Sequence, residues 1–254
     1  MKSVLLYGDD VHQFYLLGWE EVEEEGIVQT NQYLIIDKGE GVLLDPGGAH
    51  VFPRVLANVA EIIDLKRIKI LFFTHQDPDV TSGITMWLKI AENAKLHISE
   101  LWIRFLPHFG IYDRNRVIGI PDRGMTITLK SGTKLEVLPA HYLHSTGNHI
   151  VYDPKAKILF SGDIGVSLFP RSERKQVVEE NFPKHVKLME LFHKRYMTSN
   201  IACKKWVSMV EKYEIDYIAP QHGAVMKGTV AKEFLEWFKN LRCGVDLINE
   251  IYGR

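Results

Sequence analysis

The sequence predicts a layered α+β sandwich. Its main support is three hairpin signals, in which apolar segments flank short turns at 38–41, 130–132 and 153–155. A second observation is that segments with helical spacing of apolar residues lie between and after these hairpins. Hairpin-rich sheets flanked by helices favour stacked layers over an alternating parallel sheet. We see no linker, repeat or low-complexity segment, so we expect one domain over 1–254.

The strands follow from their local patterns. In the first hairpin, over 31–45, a Gly-rich turn joins NQYLIID to VLLD. The second joins MTITL to KLEVL, and the third joins HIVY to KILF. A further strand, IDYIAP at 215–220, interrupts a last third that otherwise has helical patterns.

The helices follow from apolar spacing and capping residues. We expect one helix through Val55, Leu56, Val59, Ile62 and Ile63; one that Ser82 caps, running through Trp87 and Leu88; one over 187–196; one that Ser199 caps, running through Trp206 and Val210; and a long one over 229–252. The Glu-rich run at 20–25 is typical of a solvated face.

Composition and charge argue against several classes of protein. Hydrophobic residues make up 46%, charged residues 25%, and the formal net charge is −1, so no nucleic-acid partner is indicated. The apolar run at 4–7 is too short for a signal-peptide core. No segment approaches the roughly 20 apolar residues of a membrane span. We therefore expect a cytoplasmic protein without membrane insertion.

The two cysteines, Cys203 and Cys243, lie far apart in segments that we expect to be helical. This spacing indicates neither a disulfide framework nor a CxxC metal site. We predict buried or free thiols in a reducing compartment. Any metal is then held by nitrogen and oxygen.

Four apolar segments run into side chains that bind metals. The segments lead, in chain order, to His75 with Asp77 and Asp79, to His144, to Asp163, and to His222. Strand ends are rigid, and loops that leave one edge of a sheet can bring distant ligands together. The run at 74–79 is the most specific signal, because three ligand-type residues alternate and Pro78 restricts the backbone of Asp77. Together the segments predict a metal centre.

The order HxDxD, HSTGN, SGD and QHG resembles the metallo-β-lactamase superfamily, and VLLDPGG at 42–48 resembles the strand and turn before its metal loop. The resemblance spans nearly the whole chain and implies an αββα four-layer sandwich with a dinuclear site. Hydrolases of the superfamily carry HxHxDH, whereas Asp77 and Val80 stand where two of those histidines lie. A carboxylate at 77 is instead similar to HxExD of the flavodiiron proteins, which reduce O2 or NO at two irons.

The flavodiiron resemblance implies two non-haem irons. Iron 1 takes His75, Asp77 and His144, iron 2 takes Asp79 and His222, and Asp163 bridges them. Val80 cannot bind a metal and leaves iron 2 open to a diatomic ligand. Asp77 is one methylene shorter than the family's Glu and can bind directly or through water. His141 is the alternative to His144; HSTGN favours His144, and His141 could instead hydrogen-bond a carboxylate ligand. The remaining histidines are predicted to be core or surface residues.

The sequence stops at Arg254, about where flavodiiron proteins continue into a flavodoxin-like domain with FMN, so we expect no FMN in this chain. It resembles the stand-alone oxygen-binding diiron proteins associated with oxygen sensing in bacterial chemotaxis. That resemblance implies O2 as ligand, a sensor or store rather than a turnover enzyme, a homodimer, and a signalling (chemoreceptor) or redox partner. Two alternatives stay open: an O2 or NO reductase fed by an external flavin partner, and a dinuclear zinc hydrolase of esters or thioesters.

Overall fold

The computed structural model describes residues 2–19 and 28–253. The backbone groups into two compact units, Met1–Val137 and Leu138–Arg254. The single domain over 1–254 therefore stays a prediction. The Glu-rich run at 20–25 lies outside the described residues. No described helix combines the length and the apolar composition needed to cross a bilayer.

The first unit contains a sheet whose strands follow the order of the chain. Its strands are β1 (Val4–Gly8), β2 (His12–Leu16), β3 (Tyr33–Asp37), β4 (Glu40–Leu44), β5 (Ile68–Phe72), β6 (Lys95–Ser99) and β7 (Val117–Ile120). The pairs from β1 to β4 are antiparallel, and the pairs from β4 to β7 are parallel. Parallel neighbours need crossover connections, and helices supply them here. The predicted first hairpin, β3–β4, is confirmed.

The helices of the first unit lie between its strands. They are α1 (Phe52–Ile62), α2 (Pro78–Thr81), α3 (Ile84–Ile90) and α4 (Glu100–Ile103), with 3-10 turns at Leu65–Arg67 and Leu106–Phe109. A second predicted hairpin, β8 (Met125–Thr128) with β9 (Lys134–Pro139), is also confirmed.

The prediction that Ser82 caps the start of a helix was wrong. Ser82 ends α2, where its hydroxyl donates to the Pro78 carbonyl, and Gly83 precedes α3. The reason is that Pro78 starts a separate one-turn helix.

The second unit contains five strands of the second sheet. They are β10 (His149–Asp153), β11 (Ile158–Gly162), β12 (Val177–Val178), β13 (Tyr217–Pro220) and β14 (Val225–Lys227), in the order β12-β14-β13-β11-β10. The predicted hairpin β10–β11 is confirmed, and β11 pairs parallel with β13. This parallel pair matters for the site because both strands end at the same edge of the sheet.

The helices of the second unit are α5 (Phe182–His185), α6 (Glu190–Tyr196), α7 (Asn200–Val210), α8 (Thr229–Asn240) and α9 (Ile248–Tyr252), with 3-10 turns at Arg171–Glu173, Val186–Leu188 and Gly244–Leu247. The Ser199 cap is confirmed, since its hydroxyl accepts from the Ala202 N–H. The helix expected from 187 is α-helical only from Glu190. The long helix expected over 229–252 was wrong: the chain leaves α8 after Asn240, and Gly244 adopts a φ of +52°.

The core of the second unit is aromatic where α6, α7 and α8 pack. Phe234 and Phe238 stack at 5.4 Å between ring centroids, and Trp206 meets Phe238 edge-on at 5.6 Å. His193 of α6 is fully buried and meets Phe234 and Phe238 edge-on. These contacts fix α6 and α8 with the geometry that aromatic rings prefer.

Candidate metal centre

The first group of predicted ligands follows β5. His75 is 1% exposed, and its ring is oriented by the residue before it. The Thr74 hydroxyl donates to Asp45 Oδ2 at 2.6 Å, so its oxygen accepts the Nδ1–H of His75 at 2.8 Å. The Thr74 N–H donates to Asp45 Oδ1 at 2.8 Å. This relay fixes the tautomer of His75 that directs the lone pair of Nε2 toward a metal.

Asp45 and Thr74 orient the predicted ligand His75, and the sequence analysis did not single them out. Asp45 lies in VLLDPGG, and its backbone has a φ of +39°, which is uncommon for a residue other than glycine. Both side chains are fully buried. The sequence feature that could have revealed them is a Thr directly before His75, together with an Asp directly after the preceding strand.

Asp77 and Asp79 lie at the start of α2. Asp77 precedes Pro78 and has the extended backbone expected there, with φ −63° and ψ 149°. Its Oδ2 lies 3.7 Å from His75 Nε2, and its side chain is 34% exposed. Asp79 is half-buried in the first turn of α2. Val80, where hydrolases carry a histidine, is fully buried and belongs to the apolar core of the first unit.

The second group is centred on Asp163. Its Oδ2 lies 3.6 Å from His144 Nε2, and its Oδ1 lies 3.6 Å from His222 Nε2. The Asp163 side chain is 5% exposed, and its Oδ1 accepts no hydrogen bond from a described residue. One carboxylate thus presents a different oxygen to each of two imidazoles, as a carboxylate that bridges two metal ions does.

The parallel strands β11 and β13 bring Asp163 and His222 together. Asp163 directly follows β11, and the N–H of Gln221 donates to the Gly162 carbonyl at 2.7 Å. Gly223 has a φ of +80°, and a Cβ there would overlap the backbone of Ser167. A glycine is therefore needed directly after His222 for the loop to hold this position.

His144 lies in a turn, five positions beyond the end of β9 at Pro139, so the expectation of a strand end was wrong for this ligand. Its φ is +71°. The ring centroid of His144 lies 5.3 Å from that of Tyr196. The Asn148 side-chain amide donates to the Leu143 carbonyl at 2.7 Å, which holds the turn closed. A hydrogen-bonded turn, rather than a sheet, therefore orients this ligand.

His141 belongs to the same turn. Its Nδ1 accepts the N–H of Gly147 at 3.0 Å, and its ring meets that of His149 edge-on. This contact places His141 as a support of the turn that carries His144. Its predicted hydrogen bond to a carboxylate ligand stays a prediction.

His193 supports the loop after Asp163, a role that the sequence did not suggest. Its Nδ1–H donates to the Met189 carbonyl at 2.8 Å, and its Nε2 accepts the N–H of Gly165 at 2.9 Å. Burial lowers the pKa of His193 to about 4, against the smaller opposing effect of the Met189 hydrogen bond. The ring is therefore neutral near pH 7 and keeps Nε2 as an acceptor.

Each group by itself fits a divalent metal ion. Two atoms bound to one ion at about 2.1 Å lie roughly 3 to 3.5 Å apart. The nitrogen–oxygen separations of 3.6 and 3.7 Å are close to that range and too long for hydrogen bonds. Imidazole and carboxylate suit iron, manganese and zinc. These nitrogen and oxygen donors therefore suit iron, the metal that the flavodiiron resemblance implies.

Comparison with known proteins shows to which family the chain belongs. The family model described as ODP family beta lactamase matches residues 28–223. The chain belongs to this ODP family. The predicted metallo-β-lactamase-type fold is confirmed as a mixed α/β structure with two sheets.

Solved structures extend the comparison. The chain is 45% identical to the chemotaxis sensor ODP, both in its peroxy diiron species (TM-score 0.89) and in its apo state from T. denticola (TM-score 0.87). These matches cover 99% of this ODP-family chain and 100% and 99% of the sensor chains. Rubredoxin oxygen:oxidoreductase from Desulfovibrio gigas is 19% identical with a TM-score of 0.76, over 89% of this chain and 59% of that chain, and shows the shared fold alone.

Curated relatives are longer than this ODP-family chain. An uncharacterized protein of Methanocaldococcus jannaschii is 25% identical over 221 residues, which are 83% of this chain and 53% of that protein. A diflavin flavoprotein of Nostoc sp. is also 25% identical, and the match covers 35% of its length. The chain thus spans about half and about a third of the curated relatives that it matches.

Proposed function

We propose that this ODP-family protein holds two non-haem irons and binds dioxygen at them, as a sensor or store. The observation that supports this proposal most is the buried Asp163 carboxylate, with one oxygen toward His144 and the other toward His222. A bridging carboxylate fixes the separation of two ions, and the proposed site needs such a group.

The proposed ligand roles follow the motif resemblance. His75, Asp77 and His144 hold one iron, Asp79 and His222 hold the other, and Asp163 bridges. Three carboxylates offset most of the charge of two divalent ions, and neutral imidazoles add none. Bound iron would supply the electrons for dioxygen chemistry. The chain's own contribution is to fix the ligands, through the relay from Asp45 and Thr74 to His75 and through the turn around His144.

The relatives support dioxygen as the ligand. The solved sensor with 45% identity is a chemotaxis protein and has been seen as a peroxy diiron species. We extend both statements to this chain: O2 is its small-molecule ligand, and a signalling (chemoreceptor) protein is its partner. A homodimer and a cytoplasmic location belong to the same proposal.

The test is an optical titration with air. The protein is purified without oxygen, loaded with ferrous iron and mixed with air-saturated buffer in steps. We expect a visible absorption band that appears with oxygen and saturates. The zinc-loaded protein is the matched control and should show no band. An iron-loaded sample whose spectrum does not change would contradict the proposal.

The iron-loaded and zinc-loaded proteins also distinguish a sensor from a reductase and from a hydrolase. Sustained O2 consumption with a flavin reductase and NADH would identify a reductase instead of a sensor. Hydrolysis of esters or thioesters by the zinc form, with no response of the iron form to oxygen, would identify a hydrolase. The full burial of Val80 counts against the hydrolase, because an apolar core residue replaces one of its metal ligands.

A further inference from the structure

Cys203 and Cys243 meet inside the second unit, although they are far apart in the sequence. Cys203 lies in α7, and Cys243 directly precedes the 3-10 turn Gly244–Leu247. Their sulfur atoms are 3.7 Å apart, and both side chains are fully buried. Both are free thiols, as the sequence predicted, but Cys243 does not lie in a helix. Two thiols in contact can do chemistry that a single buried thiol cannot.

We propose that Cys203 and Cys243 are a redox-active pair that hydrogen peroxide oxidises to an intrachain disulfide. The thiolate of Cys243 attacks one peroxide oxygen, the O–O bond breaks, and hydroxide leaves to become water, which gives a sulfenic acid. The sulfur of Cys203 then attacks the sulfenic sulfur and releases a second water. Two thiols and one peroxide give one disulfide and two waters, and the sulfurs supply both electrons.

The hydrogen bonds assign the two roles. The sulfur of Cys243 accepts the backbone N–H of Asp246 in a capping box, and it lies within hydrogen-bond distance of the Cys203 thiol. The S–H that Cys203 donates lowers the pKa of Cys243, against the opposing effect of burial. The same bond, followed by burial, raises the pKa of Cys203. Cys243 is therefore the nucleophile, and Cys203 is the thiol that resolves the sulfenic acid.

The segment directly after Cys243 buries little apolar surface. It contains the 3-10 turn Gly244–Leu247 and the helix α9. Along this segment Val245, Ile248, Ile251 and Tyr252 are 46 to 79% exposed. An element with so little buried apolar surface opens locally at low cost, and peroxide is nearly as small as water. The burial of Cys243 thus slows its oxidation without preventing it.

The test follows both thiols in the 254-residue chain. Protein is reduced and freed of reductant without oxygen, treated with hydrogen peroxide, and labelled with N-ethylmaleimide in denaturant. We expect both thiols to disappear together. After trypsin, we expect a linked pair of peptides, 196–204 with 243–254, which dithiothreitol separates. A parallel sample stripped of metal by a chelator should give the same linked pair.

Serine variants test the order of events. In Cys203→Ser the sulfenic acid at Cys243 has no resolving thiol, so we expect dimedone to trap it. In Cys243→Ser we expect the remaining thiol to react at least about tenfold more slowly. Thermal melting checks that each variant folds, and alanine replaces serine where it does not. The proposal fails if both thiols remain after the partly exposed methionines Met86, Met125 and Met209 have oxidised. It also fails if links form only between chains, or only with iron present.

Discussion

At the residue scale, the central feature is the way hydrogen bonds hold two of the proposed ligands, His75 through its ring and His144 through its turn. His75 shows this most clearly, because Thr74 and Asp45 together determine which ring nitrogen carries the proton. Partners of this kind contribute to metal affinity without touching the metal. We therefore expect the metal affinity of the proposed site to depend on Thr74 and Asp45 as well as on the ligands themselves.

Thr74→Val tests this relay. The substitution keeps the shape of the side chain but removes the hydroxyl between His75 and Asp45, so we expect iron affinity to fall about 10- to 100-fold. Competition with a chelator measures the affinity. Thr128→Val, at an exposed strand position, is the matched control and should bind iron like the parent. Equal affinities for both variants would show that the relay is not used.

Asp163→Asn tests the bridging role. An amide carries no charge and binds two ions poorly, so we expect the iron content of protein purified without oxygen to fall from about two per chain to below one. Elemental analysis measures it. Asp216→Asn, at an exposed position, serves as the control and should keep the full content. Full iron in Asp163→Asn would rule out a carboxylate bridge.

At the element scale, the sequence predicted the hairpins better than it predicted the ends of the helices. All three hairpins were predictable, because alternating apolar segments around Gly or Pro turns have few other solutions. The helix ends were less predictable. Serine is a common residue at helix N-caps, but Ser82 does not cap a helix start because Pro78 begins a helix four residues earlier. The helix expected over 229–252 ends at Asn240, and the chain then places Gly244 against the carbonyls of Met197 and Thr198, a tertiary contact that periodicity does not contain.

The cap at Ser199 supplies a prediction at this scale. Its hydroxyl accepts the Ala202 N–H at the start of α7, a group that otherwise has no partner within the helix. Ser199→Ala should lower the free energy of unfolding by about 1 kcal/mol. Ser208→Ala, exposed within the same helix, should change it by less than about 0.5 kcal/mol. Urea unfolding compares the two, and equal effects would contradict the role of the cap.

At the scale of the whole molecule, buried histidines make stability depend on pH. Burial lowers the pKa of His97 and of His185 to about 4, from an ordinary value of 6.5. Between these values the unfolded chain binds protons that the folded chain does not. Stability should therefore be full above about pH 6.5 and fall as the pH falls toward 4.

His185→Phe isolates one of these histidines in metal-free protein. Its ring packs against Phe169, so phenylalanine keeps the apolar contact and removes the titrating group. The loss of stability between pH 6.5 and 4 should shrink by up to about 3 kcal/mol. His50→Phe, at an exposed position, should leave the pH dependence unchanged. The measurement is urea unfolding at several pH values in this range. If stability fell with pH equally in the parent and in His185→Phe, the low pKa of His185 would not contribute to stability.

The motifs predicted three candidate ligands that the structure brings together in the second unit, but they did not predict what surrounds these residues. The motifs name Asp163, His144 and His222, and the structure places the two imidazoles at equal distances from that carboxylate. The contact between Cys203 and Cys243 left no trace in the sequence, because the two residues lie on separate elements and share no spacing rule. Side-chain contacts of this kind depend on packing.

Oxygen binding at a pair of irons is tested by the ratio of oxygen taken up to iron bound. Ferrous protein of known iron content is titrated with dissolved O2 in a sealed cell, with no electron donor present. We expect one O2 per two irons, after which uptake stops. No uptake, or equal uptake by protein carrying zinc in place of iron, would contradict it.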